Sequence, residues 1–144
     1  MKINKKVLRI SLIGLVLIIG ILVGAGFYML SYALQPQHRG LDIEQSYTEM
    51  YERYPFLEGW VDSLNAKQAL RDTFMVNTEG KQLHALYIDA AIPTSKTAVI
   101  VHGYTDNAVR MLMIGYLYNK SLGYNVLLPD LQFHGLSEGN AIQM

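Results

Sequence analysis

An uncharged run from Ile10 to Leu34, preceded by Lys2, Lys5, Lys6 and Arg9, constrains this chain more than any other feature. A bilayer core is roughly 30 Å thick and takes about 20 apolar residues of helix to cross. The run is long enough to cross with some tilt. Three readings compete for it. The apolar region of a cleaved signal peptide is shorter, about 7–15 residues, although Ser31-Tyr32-Ala33 has the small-x-small form of a cleavage site. A helix buried in a soluble core is disfavoured, because unbroken runs of this length read as membrane spans. An uncleaved signal anchor accounts for both the length and the basic flank. Lys and Arg stay on the cytoplasmic side. This reading therefore puts residues 1–9 in the cytoplasm, 10–34 across the cell membrane as a single pass, and the remainder outside.

The formal net charge is zero, so the basic flank masks an acidic remainder, and no basic patch points to nucleic acid. Cysteine is absent, which excludes a disulfide framework, thiolate zinc sites and a lipid-modified cysteine anchor. Gly20-Ile21-Leu22-Val23-Gly24 fits the small-residue pattern of paired membrane helices. Glycine is common in such helices, and ordinary packing is the preferred reading.

Residues 35–69 read as a helical connector. Pro36 marks the end of the apolar helix, and two short helices follow, Ser46 to Tyr54, halted by Pro55, and Leu57 to Leu64. Tyr47, Tyr51, Tyr54 and Trp60 would serve either as an interfacial belt or, the preferred reading, as packing against the domain they precede. Arg71 to Val76 and Leu83 to Ile88 are strand-like, and Asn77-Thr78-Glu79-Gly80 between them has the form of a hairpin turn. A lone histidine on such a strand, His84, reads as a surface or hydrogen-bond-satisfied residue rather than a ligand.

Beyond the hairpin the pattern changes. Ala98 to Val101 and Val126 to Leu128 are continuous apolar runs, as in parallel strands covered on both faces. Ala108 to Leu122 between them predicts one helix, with Val109, Leu112, Met113, Tyr116 and Leu117 on one face. Met111, Ile114 and Tyr118 widen that face, and Gly123 is the stop. Strand, helix and strand at this spacing make a βαβ unit, for which a right-handed crossover is the rule.

His102-Gly103-Tyr104-Thr105-Asp106-Asn107 lies at the carboxyl end of the first of these strands, the edge where open α/β sheets bind ligands. Glycine there lets the backbone turn so that the next amide faces the cleft, which suits an oxyanion hole. A tight turn after a core strand is the plainer alternative. Asp106 and Asn107 read as caps for the following helix. No Gly-x-Gly-x-x-Gly joins strand to helix, which argues against a dinucleotide site.

Val101-His102-Gly103, followed one βαβ later by Pro129-Asp130-Leu131-Gln132-Phe133-His134-Gly135-Leu136-Ser137-Glu138-Gly139, resembles the α/β-hydrolase superfamily. More narrowly, it resembles its membrane-anchored bacterial serine-aminopeptidase-like hydrolases. The resemblance runs from about Leu70 to the end. Family members carry Asp-x-Arg-Gly-His-Gly-x-Ser-x-Gly in the second loop. This chain keeps Asp130, His134, Gly135, Ser137 and Gly139, and has Gln132 and Phe133 where Arg and Gly are usual.

By this resemblance residues 70–144 are the first part of an α/β-hydrolase domain, an antiparallel strand pair plus the first βαβ unit. The backbone N–H of Tyr104 is the oxyanion donor, with His102 and Gly103 shaping the loop, and Asp130, His134, Gly135, Ser137 and Gly139 are loop-bracing residues. In this fold the triad runs serine, acid, histidine along the chain, so neither His102 nor His134 is expected to be its base. Gly135-Leu136-Ser137-Glu138-Gly139 matches the nucleophile pattern literally. A nucleophile elbow must follow its strand at once and open into a helix, and Ser137 does neither. The nucleophile is thus expected after residue 144, with these residues inactive alone and no cofactor or metal required.

Two functions remain open. One is a membrane-anchored serine hydrolase of ester, thioester or peptide bonds, acting on a small-molecule or peptide substrate and held by the lipid bilayer. The other is a membrane-anchored interaction protein on an inactive hydrolase scaffold, since a fold does not determine a function.

Overall fold

The computed structural model describes residues 5–34 and 42–139, which fall into two separate compact units divided after Gln35. The polar exit from Gln35 to Gly40, with Pro36, lies outside the described residues.

The first unit is one helix, α1 (Lys5–Leu34), 30 residues long. At about 1.5 Å per residue it exceeds the hydrocarbon thickness. Among the described residues it is the one helix long and apolar enough to cross a membrane.

The second unit begins with α2 (Ile43–Arg53) and α3 (Phe56–Ala66). Asp42 caps α2: its side chain accepts from Gln45 N–H at 3.0 Å, and its carbonyl accepts from the Ser46 hydroxyl at 2.9 Å. Glu44 in the first turn and Arg53 in the last complement the helix dipole. Pro55, locked near helical φ, turns the chain directly into α3.

The end of α3 carries no glycine signal and is closed by geometry. Gln68 adopts φ +55°, and the amides of Gln68 and Ala69 donate to the carbonyls of Asn65 and Leu64 at 3.0 and 2.8 Å. This is a Schellman motif with glutamine at the left-handed position.

Four strands follow: β1 (Leu70–Val76), β2 (Gln82–Ile88), β3 (Thr97–Val99) and β4 (Asn125–Pro129). Their order in the sheet is β1-β2-β4-β3, with β1–β2 and β2–β4 antiparallel and β3–β4 parallel. The hairpin register pairs Phe74 with His84 and Val76 with Gln82. Asn77 organises the turn, its side-chain oxygen accepting from Glu79 N–H and Lys81 N–H, both at 2.9 Å. The architecture is α/β, a mixed sheet with helices.

One core serves the whole second unit. Leu57, Val61 and Leu64 from α3 and Met50 from α2 pack with Leu86, Ile88, Val126 and Leu128 of the sheet. Trp60 is buried there too, and Tyr47, Tyr51 and Tyr54 pack partly buried against the same core. Burial pushes the Tyr47 phenol up to about 12, with Tyr51 and Asp72 adding to the effect.

Two expectations are corrected. The apolar run from Ala98 is not covered on both faces. β3 is the outer strand and ends at Val99, Ala98 and Ile100 face the core, and Val99 and Val101 are exposed. The predicted single helix after it is broken into a 3-10 turn (Val109–Met111), a short helix α4 (Leu112–Tyr116) and a π-helical turn (Leu117–Ser121). The extra residue of the π turn rotates the buried face, so Leu117 is exposed and Asn119 is buried in its place. The Asn119 amide donates to the carbonyls of Asp89 and Tyr124, each at 3.0 Å, which the polar loop ends need. Gly123, at φ +68°, ends the turn as expected.

Candidate functional site

Because β3 and β4 are parallel, the segments leaving them, from 100 and from Asp130, emerge at the same edge of the sheet. Side chains tie these two segments together. His102 Nε2 accepts from Leu131 N–H at 3.0 Å, so its proton sits on Nδ1, which donates to the Gly103 carbonyl at 2.7 Å. His102 is therefore a brace between the loops, engaged at both ring nitrogens. Asn107, wholly buried, accepts from Arg110 N–H at 3.2 Å and donates to the Ser46 hydroxyl at 2.7 Å. It starts the following turn and fastens the loop to α2. Thr105 lies at φ +62°, where the loop reverses. Tyr104 is exposed.

Asp130 is the hub of the second loop. One carboxylate oxygen accepts from Ala108 N–H at 2.7 Å; the other accepts from Leu136 N–H at 3.0 Å and from the His84 ring at 2.6 Å. Gly135, at φ +49°, passes so close that a Cβ there would sit 2.0 Å from this carboxylate. Only glycine fits. A Cβ on Gly139 would likewise lie 2.8 Å from Phe133 N.

Ser137 is buried, its hydroxyl donating to the Asp130 carbonyl at 2.7 Å and accepting from His84 N–H at 2.8 Å. No helix follows it among the described residues. Phe133, where the family pattern has glycine, sits at φ +64°, a region that costs an ordinary residue about 1–2 kcal/mol. Gln132 accepts from the Asn77 amide of the hairpin turn at 3.3 Å.

His134 is buried beneath His102, their ring centroids 4.8 Å apart. Its Nδ1 donates to the Gln132 carbonyl at 3.1 Å, and its Nε2 is buried without a hydrogen-bond partner. Burial, with a smaller contribution from His102, holds its pKa below the usual histidine value.

Of the two readings of His84, surface or hydrogen-bond-satisfied, the second holds, and its partners are charged. The structure buries it between two carboxylates, Asp130 on Nδ1 at 2.6 Å and Asp72 on Nε2 at 2.8 Å. Sequence reading missed this cluster and Ser46 as well. The available signal was parity: in an antiparallel hairpin Asp72, Phe74 and His84 share one face.

A cleft of about 590 Å³ lies between α2 and α4. Met50, Tyr54, Met113 and Ile114 line it, and it meets the 102–107 loop at Asp106, next to Arg110 of the 3-10 turn. Arg110 is held there by Glu49 at 2.6 Å and Asp106 at 3.5 Å.

No family model matches the sequence, and no curated protein matches it. Among solved structures the chain is similar to the Pyrococcus furiosus esterase Pf2001 in three crystal forms. Identity is 29–30%, with TM-scores of 0.41–0.42. The likeness covers 49–50% of this chain and 27–28% of the esterase, so the chain spans little more than a quarter of that protein's length.

Proposed function

We propose that residues 70–139 supply the oxyanion loop and its supports to a serine hydrolase of the α/β-hydrolase type, with ester, thioester or peptide bonds as substrates. The amide of Tyr104 would stabilise the developing oxyanion, and the nucleophile, acid and base would come from later strands and loops. The observation that carries this reading is the pair of loops leaving two parallel strands at one sheet edge, locked by His102 to Leu131 and by Asp130 to Ala108. An oxyanion hole works by preorganisation, since donors fixed in place cost no reorganisation as charge develops. In the same reading α1 anchors the domain outside the cell membrane with its N-terminus in the cytoplasm.

Ser137 serves here as a brace and not a nucleophile, because its hydroxyl is buried and engaged on both sides. The test is hydrolysis of p-nitrophenyl esters and labelling by a fluorophosphonate, measured on the full-length protein and on Ser137→Ala. Turnover surviving within about tenfold in Ser137→Ala, with labelling retained, supports the reading. Loss of about a thousandfold or more in a folded variant puts the nucleophile at Ser137 and overturns it. A folded full-length protein that neither turns over nor labels favours the interaction protein.

A further inference from the structure

We propose that His84 is a buried imidazolium cation that positions the 102–107 loop through Asp130, with Asp72 as its solvent-facing second partner. The charge follows from valence. A carboxylate only accepts, and each ring nitrogen of His84 faces one, at 2.6 and 2.8 Å. Both nitrogens must therefore donate, which only the protonated ring does.

The surroundings suit a cation. Asp130 is wholly buried, and Asp72 has a side chain 60% exposed. Phe74, the cross-strand neighbour, packs against the ring, the two ring centroids 5.2 Å apart. Burial alone would lower the pKa of the ring, but the hydrogen bonds and charges of Asp130 and Asp72 outweigh it and raise it. From α2, Tyr47 faces Asp72, and Asp130 and Asp72 are the charged groups that bear on His84 itself.

The positioning follows from what Asp130 holds. Its two oxygens accept from Ala108 N–H, where the 102–107 loop enters the helical segment, and from Leu136 N–H in the facing loop. A buried carboxylate is expensive without a compensating charge. The His84 cation compensates the buried carboxylate and keeps it aimed, and so keeps both loops in register. His84 thus acts on the loop at second hand, from β2, while Asp72 on the outer strand β1 exposes the arrangement to solvent.

The experiment is nitrogen-15 NMR of the histidine rings in the full chain, in a membrane mimetic, with amide hydrogen exchange on the same samples. His84 is assigned by its loss in His84→Gln. Both ring nitrogens of His84 are expected to stay protonated at about pH 7.5, where an ordinary histidine is neutral. Asp72→Asn keeps an acceptor and removes the charge; it should lower the titration midpoint of His84 without unfolding the chain. His84→Gln should speed exchange at Ala108 and Leu136 by about tenfold or more, and the exchange rates of α1 should not move. One bare ring nitrogen at about pH 7, or unchanged exchange at those two amides, overturns the proposal. If His84→Gln does not fold, the Asp72→Asn midpoint decides.

The catalytic consequence rests on the oxyanion-loop reading: in an active full-length enzyme, Asp72→Asn should move the alkaline limb of kcat to lower pH. Absence of hydrolysis in every variant, with the ring signature intact, counts against the hydrolase reading and still supports the cation.

Discussion

Residues around Asp130 have almost no freedom to change. Gly135→Ala would drive a methyl group into a buried carboxylate that three donors hold in place. We expect a loss of more than about 3 kcal/mol in denaturant unfolding, from overlap plus a strained φ; a loss under about 1 kcal/mol would show that Asp130 can move aside. Two of the histidines that touch this loop, His84 and His134, have opposite pKa shifts. His84 is raised by its carboxylates, so its stabilisation is fully present below the unfolded histidine value of about 6.5 and is lost as pH rises through its folded pKa. His134 is lowered by burial, so its stabilisation is present above about 6.5 and is lost as pH falls through its folded pKa. Together they place the histidine contribution to stability at a maximum near that value. Unfolding measured across pH should lose its alkaline decline in His84→Gln and soften on the acid side in His134→Gln, and a profile unaltered by both variants would refute the assignment.

Among the elements, the termini separate what side chains announce from what packing imposes. The start of α2 is announced by Asp42, and the end of the π turn by Gly123. The end of α3 is not, because the chain places Gln68 where a left-handed residue is needed. Gln68→Gly should therefore stabilise the second unit by about 0.5–1 kcal/mol, the left-handed penalty less the entropy glycine adds to the unfolded chain. Thermal unfolding checks this, and a drop in Tm would mean that the Gln68 side chain contributes more than its backbone costs. The segment from 109 to 121 carries the opposite lesson. Its apolar spacing fits a regular helix, yet the π turn sets Asn119 inward to satisfy two loop carbonyls. A buried unsatisfied carbonyl costs about 1–3 kcal/mol, enough to outweigh helix regularity over five residues.

For the molecule as a whole, α1 and the α/β unit carry surfaces of different character. α1 exposes Leu, Ile, Val and Phe on every side, which is stable only where the surroundings are as apolar as the side chains. With Lys2, Lys5, Lys6 and Arg9 ahead of the uncharged run, a reporter joined after Arg39 should be extracytoplasmic. Activity of that reporter in the cytoplasm would reverse the proposed topology.

Local chemistry in the chain determined the apolar helix, the hairpin with its Asn77 turn, the β4 run and the glycine stop at 123. Each depends on neighbours within a few residues, whose pattern is written in order along the chain. The exposed face of β3 was not legible, because an apolar run looks the same whether one face or two are covered. Nor was the Asp72–His84–Asp130 cluster, or the tie from Ser46 to Asn107. Their partners lie 12, 46 and 61 residues apart, and only the sheet order and the packing of α2 bring them within hydrogen-bond reach. The proposed charge of His84 belongs to that second class: an isolated histidine is mostly neutral at about pH 7, and only the fold brings a carboxylate to each of its ring nitrogens.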